Sequence, residues 1–184
     1  MDAVREHRNV TVEEPSPAAH GRRRVVVDFL FLDRETCSRC AGTDAALESA
    51  IDRVAGLLDA LAVDVVVRPI RVESAETARR TELEVSPTVR IDGRDVQPNA
   101  VTNPCVECSD RCADGSGIDC RLWTYRGETH ATPPVELLVE ALLRAAVGRP
   151  DAVAPRRSDG AFELAEDLEA FFGRSGDDRP DCGC

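Results

Sequence analysis

The sequence predicts an α/β domain that carries a cysteine-rich inserted loop and flexible tails. Apolar runs with strand character alternate with stretches of helical spacing, in the order strand, helix, strand, helix, hairpin, inserted loop, strand, helix. A Cys-x-x-Cys pair falls between the first apolar run and the first helix, and residues 103–120 interrupt the pattern with Cys, Asp and Gly. A chain of 184 residues is long enough for one ordinary domain with a real core.

Each element before the insert has its own local signal. Val63 begins a β-branched run, Ser74 is a candidate N-cap, and Asp92-Gly93 is a hairpin turn. Because two parallel strands need a crossover between them, the first helix is expected to connect the first two strands. The predicted elements are a strand over Val25–Leu32, a helix over Ala41–Leu61, a strand over Val63–Ile70, a short helix over Ser74–Leu83 and a hairpin over Ser86–Val96.

After the insert, polar and apolar residues alternate over Arg121–Glu128, which predicts a half-buried strand. Pro133-Pro134 then opens a helix over Val135–Val147, whose apolar stripe is expected to face the core. Phe162–Phe172 is predicted as a short amphipathic helix that docks on the domain surface. The predicted division is a disordered tail at 1–22, the domain at 23–148 with its insert at 103–120, and a linker, helix and Cys-Gly-Cys tail at 149–184.

Charge and composition exclude several classes of partner. The formal net charge is -11, whereas proteins that bind nucleic acids or anionic membranes carry clustered positive charge. Residues 1–24 lack the apolar core of a signal peptide, and no apolar stretch is long enough to cross a bilayer. The sequence therefore predicts a soluble cytoplasmic protein, whose eight cysteines are catalytic or metal-binding rather than disulfide-bonded. It gives no indication of oligomeric state.

The Cys37-Ser38-Arg39-Cys40 segment is the strongest candidate for chemistry. A cysteine that joins a strand to a helix N-terminus meets unpaired backbone N–H groups and the positive end of the helix dipole, which stabilise a thiolate. Arg34 and Arg39 are expected to favour the charged form further. Half of a zinc site and a pair of inert thiols are the alternatives, but the strand-to-helix position favours a redox nucleophile at Cys37 with Cys40 as its partner.

The insert contains four cysteines that are close enough in sequence to surround one ion. Zinc sites built from thiolates use spacings such as C-x2-4-C, and soft thiolates also bind Cu(I), iron–sulfur clusters, arsenic(III) and mercury(II). Acidic residues interleaved with these thiols disfavour thiolates unless a cation is bound. A zinc-stapled loop without further function and a set of redox partners for the first pair are the alternatives. The candidate metal ligands are Cys105, Cys108, Cys112 and Cys120.

The last residues carry a tethered dithiol, Cys182-Gly183-Cys184. A mobile linker gives such a dithiol a high effective concentration near the domain, so it is a candidate resolving or shuttle pair. An inert C-terminal pair is the alternative.

Together these features resemble the thioredoxin superfamily, because a Cys-x-x-Cys follows the first strand and Ser86-Pro87-Thr88 opens a later antiparallel strand. Within it, residues 25–147 resemble an uncharacterised thioredoxin-like family, domain of unknown function 2703. The residues that support this resemblance are the segment from Leu32 to Thr43, Ser86-Pro87-Thr88, the cysteine-rich insert, and Cys120 to Gly127.

The resemblance implies a thioredoxin-like βαβ-ββα sandwich, a cis Ser86–Pro87 bond opposite the redox pair, and a thiol-substrate site at Ser86, Pro87 and Thr88. The segment before Cys37 lacks the Trp of thioredoxin and the pair lacks its Gly-Pro, so thioredoxin's substrates and potential do not transfer. Asp28 is similar to thioredoxin's buried acid but lies farther from the pair, and local hydrogen bonding is the simpler expectation.

Two functions follow from these residues. The first is a thiol–disulfide oxidoreductase that acts on a thiol or disulfide substrate and needs no cofactor. The second is a protein that binds or delivers a soft metal or metalloid through the loop and tail cysteines without turnover.

Overall fold

A computed structural model describes residues 21–105, 118–148 and 162–173. They form a mixed α/β fold with two open sheets. The strands are β1 (Arg23–Phe31), β2 (Val63–Arg71), β3 (Thr88–Ile91), β4 (Arg94–Asp95), β5 (Val101–Pro104), β6 (Asp119–Tyr125) and β7 (Glu128–His130). The helices are α1 (Ser38–Ala60), α2 (Ala75–Arg80), α3 (Val135–Val147) and α4 (Glu166–Gly173).

The first sheet has the strand order β2-β1-β3-β4. β1 and β2 are parallel with Arg23 opposite Val63, which confirms the predicted crossover through α1. β3 is antiparallel to β1, with Val27 opposite Ile91. Pro69 lies inside β2, and this is tolerated because β2 is an edge strand.

The core lies between the first sheet and the helices α1 and α3. Val25, Val27 and Phe29 of β1 are fully buried, and every fourth or third residue of α1 from Leu47 to Leu58 is buried against them. Burial of each large aliphatic or aromatic side chain contributes about 1.5–3 kcal/mol to stability. This packing fixes where α1 begins, at the carboxyl end of β1.

Two local predictions are confirmed. The Ser74 side chain accepts a hydrogen bond of 3.1 Å from the backbone N–H of Thr77, as expected for the N-cap of α2. Asp92 and Gly93 connect β3 to β4 with φ values of 49° and 76°, the left-handed backbone that an Asp-Gly hairpin turn needs.

The second sheet was not predicted, and it corrects the interpretation of residues 103–120 as a single loop. The two ends of this segment are paired strands, with Asn103 of β5 opposite Cys120 of β6. β6 then turns at Gly127, where φ is 85°, and pairs with β7, which the prediction had omitted. These ends form strands because their backbone N–H and C=O groups need hydrogen-bond partners. Polar residues can pair in an antiparallel sheet even though they do not contribute to an apolar core.

The last helix, α4, begins at Glu166 rather than at Phe162. Leu168 and Phe172 are buried, and the carboxylate of Glu169 pairs with Arg79 of α2. The predicted docking of this segment on the domain is therefore confirmed. Residues 1–20 of the tail predicted at 1–22 lie outside the described residues, as do residues 149–161 and 174–184 of the predicted C-terminal segment.

None of the helices in the described ranges combines the length and the apolar character needed to cross a membrane.

Candidate functional site

Cys37 is the N-cap residue of α1. Its backbone is extended, with φ -101° and ψ 112°, and its carbonyl accepts the first intrahelical hydrogen bond, from Ala41, at 3.0 Å. The Cys37 side chain makes no capping hydrogen bond, and its thiol stands at the N-terminus of α1, at the positive end of the helix dipole. The side chain is only 2% exposed.

Cys40 lies in the first turn of α1 and is 1% exposed. The pKa of its thiol is raised well above the ordinary value by its hydrogen bond with Cys37, by burial and by the charge of Cys37. The Ser86 hydroxyl and the Asp33 backbone act in the opposite direction without overcoming the increase. Cys40 is therefore protonated at neutral pH.

Ser86 and Pro87 lie beside the pair and are joined by a cis peptide bond, as predicted. The Ser86 hydroxyl is 3.7 Å from the Cys40 sulfur, and it accepts a 3.3 Å hydrogen bond from the N–H of Leu32 at the end of β1. Ser86 and Pro87 are both buried. The predicted third member, Thr88, is 1% exposed, and its hydroxyl is hydrogen-bonded to the Val85 carbonyl and to Arg121.

Three cysteine sulfurs meet at this point. The Sγ atoms of Cys37, Cys105 and Cys120 lie within 4.8 Å of one another, and each of the three residues is at most 2% exposed. None of the cysteines in the described ranges, which also include Cys40, is in a disulfide. The arrangement therefore offers three thiols that could hold one soft ion or exchange disulfide bonds with one another.

Backbone pairing positions the two cysteines of the second sheet. The N–H of Cys105 donates to the carbonyl of Ile118 at 2.9 Å, which closes the insert at its base. Cys120 forms an isolated parallel bridge with Ser86, and the N–H of Arg121 donates to the Ser86 carbonyl at 2.9 Å. Cys120 is thus held next to Ser86, the residue that also contacts Cys40.

Arg39, between the two cysteines of the pair, joins α1 to the second sheet. Its guanidinium donates to the Asn103 side chain at 2.6 Å and to the Cys120 carbonyl at 3.3 Å. Arg34 instead pairs with Asp44 at 3.0 Å and lies over the ring of Phe31. Arg39 is therefore the flanking arginine that reaches the cysteines' surroundings.

A buried ion pair connects β6 to the hairpin of the first sheet. The Arg121 side chain is 1% exposed, and its guanidinium donates to both carboxylate oxygens of Asp95, at 2.6 and 3.0 Å. It also donates to the Gln97 carbonyl and lies over the Trp123 ring, 5.0 Å from its centroid. This network fixes the position of β6, the strand that contains Cys120, relative to the first sheet.

Asp28 has a different environment from the one that the thioredoxin comparison suggested. Its carboxylate accepts two hydrogen bonds from Arg68, at 2.5 and 2.7 Å, across the pair β1 and β2. Local pairing therefore accounts for this acid.

The structure brings together some predicted site residues and leaves others undetermined. Cys37, Cys40, Ser86 and Pro87 are adjacent, and Cys105 and Cys120 join them. Cys108, Cys112, Cys182 and Cys184 lie outside the described residues. The proximity of Cys37 to the insert cysteines was not predicted. A signal was available, because the insert follows the hairpin whose Ser86–Pro87 bond is expected to lie opposite the redox pair.

Comparison with protein families found one match. The family profile described as Domain of unknown function (DUF2703) matches residues 25–142, which contain all four described cysteines. No curated protein matches the chain. No solved structure matches it either.

Proposed function

Because the chain belongs to the Domain of unknown function (DUF2703) family, whose description names no activity, we propose from the site itself that the protein is a thiol–disulfide oxidoreductase of thioredoxin-like fold. The observation that carries this proposal is the placement of Cys37 as the N-cap of α1, with Cys40 hydrogen-bonded to it one turn later. The N-terminus of a helix stabilises a thiolate, which is the attacking form in disulfide exchange.

The architecture around the pair supports the thioredoxin-like assignment. The sheet order β2-β1-β3-β4 combines a parallel crossover with an antiparallel hairpin, the predicted βαβ-ββ arrangement, and α3 packs against α1. The Ser86-Pro87 segment lies beside the pair, where the superfamily places its thiol-substrate site. Thr88 serves the fold through its bonds to Val85 and Arg121, so Ser86 and Pro87 are the substrate-site residues that we retain.

The proposed reaction uses both thiols of the pair. The Cys37 thiolate attacks a substrate disulfide, forms a mixed disulfide and releases one substrate thiol. Cys40 then transfers its proton to solvent and attacks Cys37, which forms the Cys37–Cys40 disulfide and releases the second substrate thiol. Two electrons pass from the pair to the substrate, and an external thiol reductant restores the pair for the next turnover. Ser86, 3.7 Å from the Cys40 sulfur, is positioned to donate a hydrogen bond to the thiolate formed in the second step.

Burial of the pair sets the class of substrate. Since the Cys37 side chain is 2% exposed, a large folded protein cannot bring a disulfide to its sulfur without displacing the surrounding residues. We expect small disulfides to be better substrates than disulfides in folded proteins.

The test compares full-length variants in reduction of a small aromatic disulfide with a thiol reductant in excess. Cys37→Ser is expected to be inactive, whereas Cys40→Ser, treated with one equivalent of the disulfide and no reductant, is expected to accumulate a mixed disulfide that mass spectrometry detects at Cys37. Cys105→Ser is the matched control, because it removes a buried thiol outside the pair. A Cys37→Ser variant with wild-type turnover would refute the proposal.

The second candidate function is binding or delivery of a soft metal or metalloid without turnover. It is favoured by one observation, the proximity of the Cys105 and Cys120 sulfurs to that of Cys37. Elemental analysis of anaerobically purified protein tests it. Stoichiometric metal that is lost in Cys105→Ser and Cys120→Ser supports this function, and metal-free protein with four titratable insert thiols argues against it.

A further inference from the structure

The spacing of the sulfurs in the cluster of Cys37, Cys105 and Cys120 suits the binding of a single ion. Three sulfurs that each lie about 2.3 Å from one ion are about 4 Å from one another. The three Sγ atoms are already within 4.8 Å of one another, so rotations of the side chains are enough to close the site. An iron–sulfur cluster is a poorer fit, because its several core atoms separate the ligand sulfurs more widely.

The site is held by elements from both sheets. Cys37 begins α1, Cys105 follows β5 and Cys120 lies in β6. Asn103 opposite Cys120 sets the register of the two strands, and Arg39 bonds to both residues from α1. The three ligands are therefore fixed by independent backbone contacts, which lowers the conformational entropy cost of binding.

Charge selects among soft ions. The ligand group found in the described residues consists of three thiols and includes neither a carboxylate nor an imidazole. Three thiolates carry three negative charges, and an uncompensated charge in a buried site is costly. A trivalent ion leaves the three thiolates neutral and needs only three ligands, whereas a divalent ion such as zinc leaves one negative charge and takes a fourth ligand that the described group does not contain.

We propose that Cys37, Cys105 and Cys120 form a three-thiolate site for a trivalent, thiophilic metalloid such as arsenic(III) or antimony(III), and that occupancy of this site excludes the Cys37–Cys40 disulfide. Binding of arsenous acid condenses three thiols with three hydroxyl groups, forms three arsenic–sulfur bonds and releases three waters, with no change in oxidation state. The exclusion rests on the proposed redox role of Cys37, because one sulfur cannot bond to both arsenic and Cys40.

The exclusion gives the site a consequence for the reaction. A bound metalloid removes the nucleophile from the redox pair, so it stops turnover, and the oxidised pair in turn leaves only two of the three ligands. The protein thus binds the metalloid only in its reduced form.

The test measures retention of arsenite by full-length reduced protein in which Cys108, Cys112, Cys182 and Cys184 are changed to Ser. Native mass spectrometry is expected to show one arsenic per chain with loss of three protons. Cys105→Ser and Cys120→Ser in this background are expected to lose stoichiometric retention. Cys40→Ser is the matched control, because it removes the fourth buried thiol and is expected to retain arsenic fully.

The Cys40→Ser control distinguishes the three-cysteine site from a site made by Cys37 and Cys40 alone. A site made by Cys37 and Cys40 would keep arsenic in Cys105→Ser and lose it in Cys40→Ser, and that pattern would overturn the proposal. Phenylarsine oxide, which condenses with two thiols, is expected to bind without the loss of affinity in Cys105→Ser that arsenite shows. Retention of zinc but not of arsenite would overturn the charge argument and with it the proposal.

The two proposals fail in different ways. Loss of disulfide reduction in Cys37→Ser and Cys40→Ser, with no arsenite bound to any variant, would leave the oxidoreductase in place and remove the metalloid site. Arsenite bound by all three cysteines in a protein that reduces no disulfide would do the reverse.

Discussion

The two sheets supply cysteines to the same place in different ways. The Cys37–Cys40 pair is local, because Cys37 is the N-cap of α1 and Cys40 lies in its first turn, and the helix itself brings the sulfurs together. Cys105 and Cys120 arrive through the second sheet, whose register and ion pairs decide whether they reach Cys37 at all. The local pair should therefore survive changes in the second sheet, whereas the three-thiol cluster should not.

The largest expected effect comes from breaking the connection between the sheets. Asp95→Asn leaves the Arg121 guanidinium buried without its carboxylate, and we expect the free energy of unfolding to fall by about 3 kcal/mol. The variant should also retain less arsenite while its Cys37–Cys40 pair still forms a disulfide. Urea denaturation followed by Trp123 fluorescence measures the first effect.

The control for this variant is Arg53→Gln, which removes an exposed ion pair with Glu136. Because exposed pairs contribute little, its cost should be a small fraction of that of Asp95→Asn. Equal costs for Asp95→Asn and Arg53→Gln would show that the buried pair does not hold the two sheets together.

The second prediction concerns the pH dependence of the local pair. The pKa of Cys40 is raised in the folded protein, so the folded pair keeps a proton that the unfolded chain loses above its ordinary pKa of 9.0. The free energy of unfolding should therefore be unaffected by Cys40 below pH 9. It should fall as the pH rises further, by up to about 1.4 kcal/mol per pH unit. Denaturation of wild type and Cys40→Ala between pH 8 and 10.5 measures this slope. An identical decline in both would rule out Cys40 as its source.

A smaller effect is expected from Ser86→Ala. The change removes the hydrogen bond from Leu32 and the contact with Cys40, and we expect a loss of about 1 kcal/mol. Since the Ser86 hydroxyl lowers the pKa of Cys40, its loss should also slow resolution and let the mixed disulfide accumulate.

Thr88→Val is the matched control for Ser86→Ala, because its hydroxyl bonds to Val85 and Arg121 instead. It should lose comparable stability without accumulation of the mixed disulfide, which quenched-reaction mass spectrometry quantifies. Accumulation in both variants would assign the effect to general destabilisation.

The smallest effect tests the packing of the first turns of α1. A Cβ at Gly42 would lie 2.3 Å from the Cγ2 of Thr132, so Gly42→Ala overpacks this contact and lowers stability. The higher helix propensity of alanine offsets this loss by about 1 kcal/mol. Adding Thr132→Ser removes the clashing methyl group, and the double variant should be more stable than Gly42→Ala by less than about 1 kcal/mol. Thermal denaturation of the single and double variants measures the difference, and equal stabilities would contradict this contact.

Much of the first sheet could be predicted from sequence because its signals are local. The β-branched runs at Val25 and Val63, the N-cap at Ser74 and the Asp92-Gly93 turn each act within a few residues. The second sheet could not be predicted in the same way, since Val101–Pro104 is a short, exposed strand without an apolar pattern. Its pairing partner lies across the insert, and only the long-range register places Cys105 and Cys120 next to Cys37.

The membership of Cys37 in the long-range cluster with Cys105 and Cys120 is tested most directly by its alkylation rate. In reduced Cys40→Ser protein with Cys108, Cys112, Cys182 and Cys184 changed to Ser, stoichiometric arsenite should protect Cys37 from iodoacetamide, as read by peptide mass spectrometry. Adding Cys105→Ser should remove that protection. Equal rates for Cys37 with and without arsenite in the first variant would contradict the account.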